Sequence, residues 1–282
     1  MYPYIPIYKE IKIPCYTLCF FVGFVIAVCM AMKSINKLPP KDSQISFPNK
    51  YDVLFAAVYA LIGLAAGAKI FFVLSRLPKV IAHPAAYKAM WNLSKAAALN
   101  YLFGGLVFYG GLLGAAVGTY IYCRQYKVLL EPIVKVTAPL IPFVHGFGRI
   151  GCFLGGCCYG IEYHGIFSVK YPFNEMVPKL NEVPRFPVQL LEAGLNFICT
   201  FVLLSLGKKM DSRRLLGSYL FYYSVTRFLL EYLRGDAERG VYSLFSTSQV
   251  ISIILFPIAV FLIVGQRFGL KNAKKEKADY GP

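Results

Sequence analysis

Long apolar stretches alternate with short polar segments along almost the whole chain. Seven of the stretches approach the roughly 20 residues that an α-helix needs to cross a bilayer. They predict seven transmembrane helices at about 14–32, 52–75, 101–122, 132–151, 187–207, 216–233 and 246–265. The predicted fold is an all-α polytopic membrane protein, one transmembrane domain over residues 1–282. A small extracytoplasmic loop region is expected at 152–186 and a basic cytoplasmic tail at 266–282.

Composition and charge support a membrane protein. Of the 282 residues, 57% are apolar and 16% charged, which argues against a soluble enzyme. The first apolar stretch is too long for a signal peptide and lacks a small-residue cleavage site, so it is predicted to remain as the first span. The net charge of +16 comes from basic residues between the spans, which favours membrane topology over a nucleic-acid partner.

The basic residues also predict the orientation. The segments 33–51, 123–131, 208–215 and 266–282 carry more lysine and arginine, over fewer residues, than the segments on the opposite side. The positive-inside rule therefore places the N-terminus outside and the C-terminus in the cytoplasm.

Polar side chains of six predicted spans then fall at one depth, in the outer part of the membrane. They are Tyr16, Lys69, Tyr109, Arg149, Gln189, Glu192, Arg227, Glu231 and Arg234. Charged groups in hydrocarbon cost a few kcal/mol each, so they pair with one another or line a cavity that holds something charged. The common depth predicts a site.

Pairing and ligand binding are both open interpretations of these charges. Arg227 and Glu231 are four residues apart, and Glu231 and Arg234 three apart, which allows ion pairs on one helix face. The cations nevertheless outnumber the carboxylates: Lys69, Arg149, Arg227 and Arg234 against Glu192 and Glu231. The surplus favours an anionic ligand, and guanidinium groups suit a phosphate head group best.

Glycines mark the third span and the end of the fourth. Gly110, Gly114 and Gly118 are spaced by four, a pattern that lets helices approach closely. Gly110 and Gly111, beside Tyr109, could alternatively admit a lipid head group to the backbone. The glycines around Arg149 free the chain to leave helical geometry.

Three cysteines, Cys152, Cys157 and Cys158, follow Arg149. A disulfide, a metal site, a reactive thiol and simple packing are all open. Zinc has little support because no second matching pair of Cys or His occurs. His145, one turn before Arg149, is the histidine nearest the predicted site.

The chain resembles the bacterial prolipoprotein diacylglyceryl transferases from its first span to its last. The matching segments are VGF at 22–24, APLIPF at 138–143, GRIG at 148–151, PRFPVQLLE at 184–192 and RFLLEYLR at 227–234. The resemblance implies an enzyme of the outer membrane face. It would transfer the diacylglyceryl group of phosphatidylglycerol to the lipobox cysteine in the signal peptide of a preprolipoprotein, form a thioether and release glycerol phosphate. Membrane lipid is the expected surrounding partner, and no cofactor, metal or nucleic acid is expected.

Site residues follow from the resemblance by position. Arg149 and Arg227 match the family's essential arginines, and Glu231 and Arg234 match their partners. The predicted catalytic residues are Arg149, Arg227, Tyr109 and Glu231. The predicted substrate-binding residues are Arg149, Arg227, Arg234, Tyr16, Tyr223, Gly110, Gly111, Gln189, Glu192, Lys69 and Cys152.

The chain departs from the family pattern near these residues. Tyr109 stands where the family often has the histidine of HGGL, and a phenol is a poor general base at neutral pH. The pattern GRxGNFxNGE becomes GRIGCFLGGC, and Lys69 replaces an arginine. The general base is therefore unassigned.

Three alternatives to the transferase stay open at this point. They are a transporter or flippase for an anionic lipid or solute, a paralogous transferase with another acceptor, and a thiol-redox protein built on the three cysteines. Lys135 is the one charge predicted toward the cytoplasmic side within a span, and it can snorkel, which argues against access from both sides.

Overall fold

The computed structural model describes residues 4–8, 11–39, 46–171, 183–236, 241–242 and 245–279. Most of them are helical. The helices are α1 (Cys15–Ile35), α2 (Lys50–Ala82), α3 (Pro84–Leu93), α4 (Lys95–Phe103), α5 (Phe108–Gln125), α6 (Leu130–Thr137), α7 (Ile141–Gly155), α8 (Val188–Leu206), α9 (Ser212–Leu230) and α10 (Thr247–Asp279). Short 3-10 turns cover Ala138–Leu140 and Glu231–Leu233.

Two short antiparallel hairpins complete the secondary structure. The first pairs β1 (Tyr4–Tyr8) with β2 (Ile11–Pro14), and the second pairs β3 (Val241–Tyr242) with β4 (Phe245–Ser246). In the predicted loop region, Glu162 and Val169 each form a bridge with Arg185, while residues 172–182 lie outside the described residues. In the predicted tail, the backbone of α10 continues to Asp279, and residues 280–282 lie outside the described residues.

Four helices of the described part are long and apolar enough to cross a membrane: α1, α2, α8 and the Thr247–Gly265 part of α10. A fifth candidate combines α4 and α5, which bend by 64° at the break between them. The chain is thus a mostly helical protein with several apolar helices suited to a membrane. Length and apolarity alone do not select the predicted spans at 132–151 and 216–233, because α7 has 15 residues and α9 carries Arg213, Arg214 and Arg227.

The chain divides into two compact units. The first unit comprises residues 1–31 and 134–282, and the second comprises residues 32–133. In the first unit, α8 packs against α7 and α9, and α9 packs against α10.

In the second unit, α2 packs along α5. A Cβ atom added at Gly114 would collide with the carbonyl oxygen of Gly63, and one at Gly118 with that of Tyr59. The predicted use of the small-residue stripe for close helix packing is confirmed. The hydroxyl of Tyr122 in α5 also donates to Oδ1 of Asp52 in α2, at 2.7 Å.

Candidate active site

An ion pair between α7 and α8 forms the first part of the candidate site, in the first unit. Nη2 of Arg149 lies 3.0 Å from Oε1 of Glu192, and Nε2 of His145 lies 3.4 Å from the same oxygen. His145 and Arg149 share one face of α7 because they are four residues apart, and Nε of Arg149 donates to Nε2 of His145 at 3.3 Å. Glu192 is 4% exposed, so its carboxylate depends on Arg149, the guanidinium from which Nε2 of His145 accepts.

A second ion pair lies where α9 ends. Nη2 of Arg227 is 2.7 Å from Oε2 of Glu231, which confirms the pairing predicted from their spacing. The same nitrogen donates to the hydroxyl of Ser248 in the first turn of α10, at 2.8 Å. Arg227 and Glu231 are 4% and 3% exposed. Nη1 of Arg227 is buried and has no hydrogen-bond partner among the described residues.

Arg234 pairs with Asp236, two residues later in the chain. Its Nε donates to Oδ1 of Asp236 at 2.9 Å, and its Nη2 donates to Oδ2. The charge surplus inferred from the spans is therefore smaller in the structure, because a carboxylate from the loop after the 3-10 turn balances Arg234. Each guanidinium group has five N–H donors, and one carboxylate accepts from at most two of them. The remaining N–H donors of each arginine are available to an anion.

A narrow cleft is lined by one member of each ion pair, Glu192 and Arg227. It is lined by His145, Glu192, Asn196, Tyr222, Tyr223, Thr226 and Arg227. The rings of His145 and Tyr223 lie 6.0 Å apart across part of it. Two opposite charges of the first unit, Glu192 and Arg227, thus border this cleft, and each is paired with a second charge beside it.

Tyr16 and the cysteines lie at the end of α7 beyond Arg149. Gly151 allows α1 to cross closely, since a Cβ there would lie 2.8 Å from Cα of Tyr16. The sulfur atoms of Cys152, Cys157 and Cys158 lie within 4.8 Å of one another, and all eight cysteines of the chain are free thiols. This thiol cluster is the one group of three potential metal ligands found among the described residues.

The thiol of Cys158 is held by its neighbours in the cluster. Hydrogen bonds from the thiols of Cys152 and Cys157 lower the pKa of Cys158 below the usual value of a thiol. Arg149 and Arg234 act in the same direction, and burial opposes them. The cluster can therefore hold negative charge beside the arginines.

Gln189 binds protein groups rather than facing the cleft. Its Nε2 donates to the carbonyl oxygen of Cys157 at 2.8 Å, and its Oε1 accepts from the hydroxyl of Tyr171 at 3.1 Å. The side chain is 0% exposed. Gln189 thus fixes the chain after α7 against the start of α8.

The remaining predicted residues lie in the second unit. Nζ of Lys69 donates to the carbonyl oxygens of Phe103, at 2.5 Å, and Gly105, at 3.4 Å, at the break between α4 and α5. Tyr109 lies in the first turn of α5, with its ring edge-on to Phe108 at 5.7 Å. Gly110 and Gly111 are buried against α2, where a side chain at Gly110 would collide with Phe71.

Sequence analysis missed three groups of the first unit. Ser248 and Asp236 each bind an arginine of the site, and Tyr171 holds Gln189. All three approach from segments distant in sequence or from loops, where no periodic pattern marks a partner. His145 did carry a signal, since it stands four residues before Arg149.

Comparisons with known proteins agree with the resemblance. The family model described as prolipoprotein diacylglyceryl transferase matches residues 4–265. A phosphatidylglycerol–prolipoprotein diacylglyceryl transferase of Clostridium tetani is 30% identical over 247 residues, which is 87% of this chain and 93% of the relative. A second protein of that name from Clostridium perfringens is 31% identical over 72% of this chain and 75% of the relative. The chain therefore belongs to the prolipoprotein diacylglyceryl transferase family.

Proposed function

We propose that this protein transfers the diacylglyceryl group of phosphatidylglycerol to the lipobox cysteine thiol of preprolipoproteins, and that it acts from the outer face of a bacterial cell membrane. The observation that carries the proposal is the pair of largely buried, incompletely used guanidinium groups of Arg149 and Arg227: Arg227 lines the cleft, and Arg149 is paired with Glu192, which also lines it. Family membership and the names of the relatives support the same reaction.

The chemistry needs a site that accepts growing negative charge. The acceptor sulfur forms a bond to the glycerol carbon while the bond from that carbon to the phosphate oxygen breaks. Glycerol phosphate leaves with the bonding electrons, and the thiol proton formally accompanies it. Preorganised donors aimed at this phosphate lower the barrier, since they need not reorganise as charge develops.

Arg149 and Arg227 are the proposed catalytic residues of the first unit, because each has a fork fixed on one side and donors left on the other. Glu192, His145 and Ser248 hold the forks in position. Glu231 is proposed to act through Arg227. Arg234, Tyr16, Tyr223 and Cys152 are proposed to complete the binding region, and Gln189 to act indirectly by holding the turn after α7. Roles for Tyr109, Gly110, Gly111 and Lys69 stay predictions from the sequence.

Seven spans are proposed for the whole chain, with the N-terminus outside. The segment Leu130–Gly155 supports the fourth span because α6, the 3-10 turn and α7 follow one another with 8, 3 and 15 residues. α9 supports the sixth, since the charged side chain in its second half, Arg227, is paired and buried. Attaching a reporter of known sidedness to each terminus tests the orientation.

The activity is tested by an in-vitro transfer assay. Labelled phosphatidylglycerol and a lipobox peptide are mixed with the wild type, Arg149→Ala, Arg227→Ala and the control Arg124→Ala, whose side chain is exposed in the last turn of α5. The proposal expects thioether product from the wild type and the control, and none from the two site variants. Phospholipid binding without transfer by the wild type would contradict it.

A further inference from the structure

Cys152, Cys157 and Cys158 form a thiol cluster whose convergence the transfer chemistry does not require. Their sulfur atoms lie within 4.8 Å of one another although four residues separate the first from the second. No other group of three His, Cys, Asp or Glu side chains converges this way in the described part of the chain. The convergence of three thiols therefore indicates a separate role for this part of the chain.

The helix end brings the first two thiols together. Gly156, in left-handed conformation with φ 71°, ends α7, and its amide donates to the carbonyl of Phe153 at 3.2 Å. The amide of Cys157 donates to the carbonyl of Cys152 at 3.1 Å. These two bonds form a Schellman motif, which places the residue after the glycine over the last turn of the helix. In this motif the residue after the glycine frequently makes an apolar contact with the last helical turn, whereas here the side chains of both residues are thiols.

The third thiol is added by an unfavourable backbone conformation. Cys158 has φ 55°, and Lys127 is the other non-glycine residue with a positive φ in the described part of the chain. Left-handed geometry is uncommon for a residue with a Cβ. Here it turns the chain directly after Cys157, so that the third sulfur joins the other two.

The turn is also held from outside. Gln189 of α8 donates to the carbonyl oxygen of Cys157 at 2.8 Å, and the hydroxyl of Tyr171 donates to Gln189 at 3.1 Å. Such outer hydrogen bonds orient the ligands of metal sites. Cys152 is buried and Cys158 partly buried, but Cys157 is exposed, which leaves an entry path from that side.

We propose that Cys152, Cys157 and Cys158 bind one thiophilic metal ion, Zn²⁺ or Cu⁺. Metal–sulfur bonds of about 2.3 Å place the sulfurs of such a site roughly 4 Å apart, so the cluster needs little rearrangement. Thiolate ligands select these two ions. Each thiol releases its proton to solvent on binding.

The surrounding charge fits a three-thiolate site. Three thiolates around a monovalent or divalent ion leave net negative charge, and Arg149 and Arg234 lie close enough to Cys158 to interact with it electrostatically. With Zn²⁺, a fourth position stays open for water. The ion would tie the turn to the last turn of α7, three residues from Arg149, and this inference does not depend on the proposed transfer reaction.

Metal loading of the full-length protein tests the proposal. The reduced protein in detergent is incubated anaerobically with Zn²⁺ or Cu⁺, desalted and analysed for bound metal. The variants are Cys157→Ser and Cys158→Ser, and the control is Cys199→Ser, a buried cysteine of α8. About one ion per chain is expected in the wild type and the control, and the ion is expected to be lost in both cluster variants. Equal metal in all four proteins, or none in any, would overturn the site.

A second measurement needs no variant. Bound metal is expected to protect the cluster thiols from alkylation by N-ethylmaleimide, with peptide mass spectrometry identifying the protected residues. Alkylation of Cys157 at the same rate with and without metal would overturn the proposal. A disulfide within the cluster that persists in the purified protein, combined with no metal uptake after reduction, would assign the thiols to redox chemistry instead.

Discussion

Glu192 in the second turn of α8 binds Arg149 of α7 at 3.0 Å, and both side chains are shielded from solvent. A buried ion pair gives little net stability, yet removing one partner leaves an uncompensated charge. This contact therefore couples helix packing to the position of the guanidinium group.

Substituting Glu192→Ala should lower the free energy of unfolding by about 3–5 kcal/mol, because Arg149 would stay buried without a partner. The double variant with Arg149→Ala should lose less than the sum of the two single variants, with a coupling of about 1–3 kcal/mol. Reversible unfolding in mixed micelles measures both.

The matched control for that experiment is Glu162→Ala. Glu162 also forms an ion pair, 3.0 Å from His164, but both side chains are mostly exposed. Its loss should change stability by less than about 1 kcal/mol. Equal effects of Glu162→Ala and Glu192→Ala would show that burial of the Arg149 pair contributes nothing.

Substituting Arg149→Lys or Arg227→Lys should lower kcat/KM of transfer by about 10²-fold or more. A lysine keeps the charge but loses the planar fork, so the donors that face a developing phosphate charge would be misplaced. The control is Arg124→Lys. Full activity of both lysine variants would mean that the site needs positive charge alone.

Ser248 offers a test of how Arg227 is held. Substituting Ser248→Ala removes the 2.8 Å hydrogen bond to Nη2 and should lower kcat/KM by about 3- to 10-fold, since such a bond is worth about 0.5–1.5 kcal/mol. Ser252→Ala is the control one turn later, because its hydroxyl binds only the backbone oxygen of Ser248. Equal activities of the two variants would remove Ser248 from the site.

The hydrogen-bonded chain from Tyr171 through Gln189 to Cys157 predicts a graded loss of stability. Gln189→Leu leaves the carbonyl of Cys157 without its partner and should cost about 1–3 kcal/mol, whereas Tyr171→Phe should cost about 1 kcal/mol. Tyr232→Phe is the control, because that ring is 63% exposed. A larger loss of stability from Tyr171→Phe than from Gln189→Leu would contradict this series of hydrogen bonds.

The sequence predicts the apolar helices well and the contacts of the site only in part. The predicted span 187–207 corresponds to α8 at Val188–Leu206, because Pro187 and Gly207 mark the two ends of this mainly apolar stretch. Spacing within one helix also predicts the Arg227–Glu231 pair. Asp236 and Ser248 are different: Asp236 reaches Arg234 from the loop two residues later, and Ser248 reaches Arg227 across 21 residues, and no helical period encodes either contact.

The predicted span 101–122 shows a second kind of limit. The structure divides this region into α4 and α5, bent by 64°, and Lys69 of α2 donates to two carbonyls at the break. An apolar pattern cannot reveal this bend, because the residues on both sides of the break are apolar. The cation that satisfies the broken backbone lies more than thirty residues earlier in the chain.

That role of Lys69 leads to a final prediction. Exchange at the amide of Val107, which donates to the carbonyl of Ala68 at 3.0 Å beside Lys69, reports on the bend. Substituting Lys69→Met leaves the carbonyls of Phe103 and Gly105 without their donor and should speed this exchange by about tenfold, for a loss of about 1.4 kcal/mol.

Two further variants separate a structural role of Lys69 from general helix destabilisation. Lys69→Arg keeps a cationic donor within reach and should restore slow exchange at Val107, whereas Lys79→Met, at an exposed position of the same helix, should leave that exchange unchanged. If the amide of Val107 exchanges at the same rate in Lys69→Met and Lys79→Met, the ammonium group of Lys69 does not stabilise the break between α4 and α5. The bend would then depend on packing alone, through Gly105 against Phe72, where an added Cβ would collide with the ring.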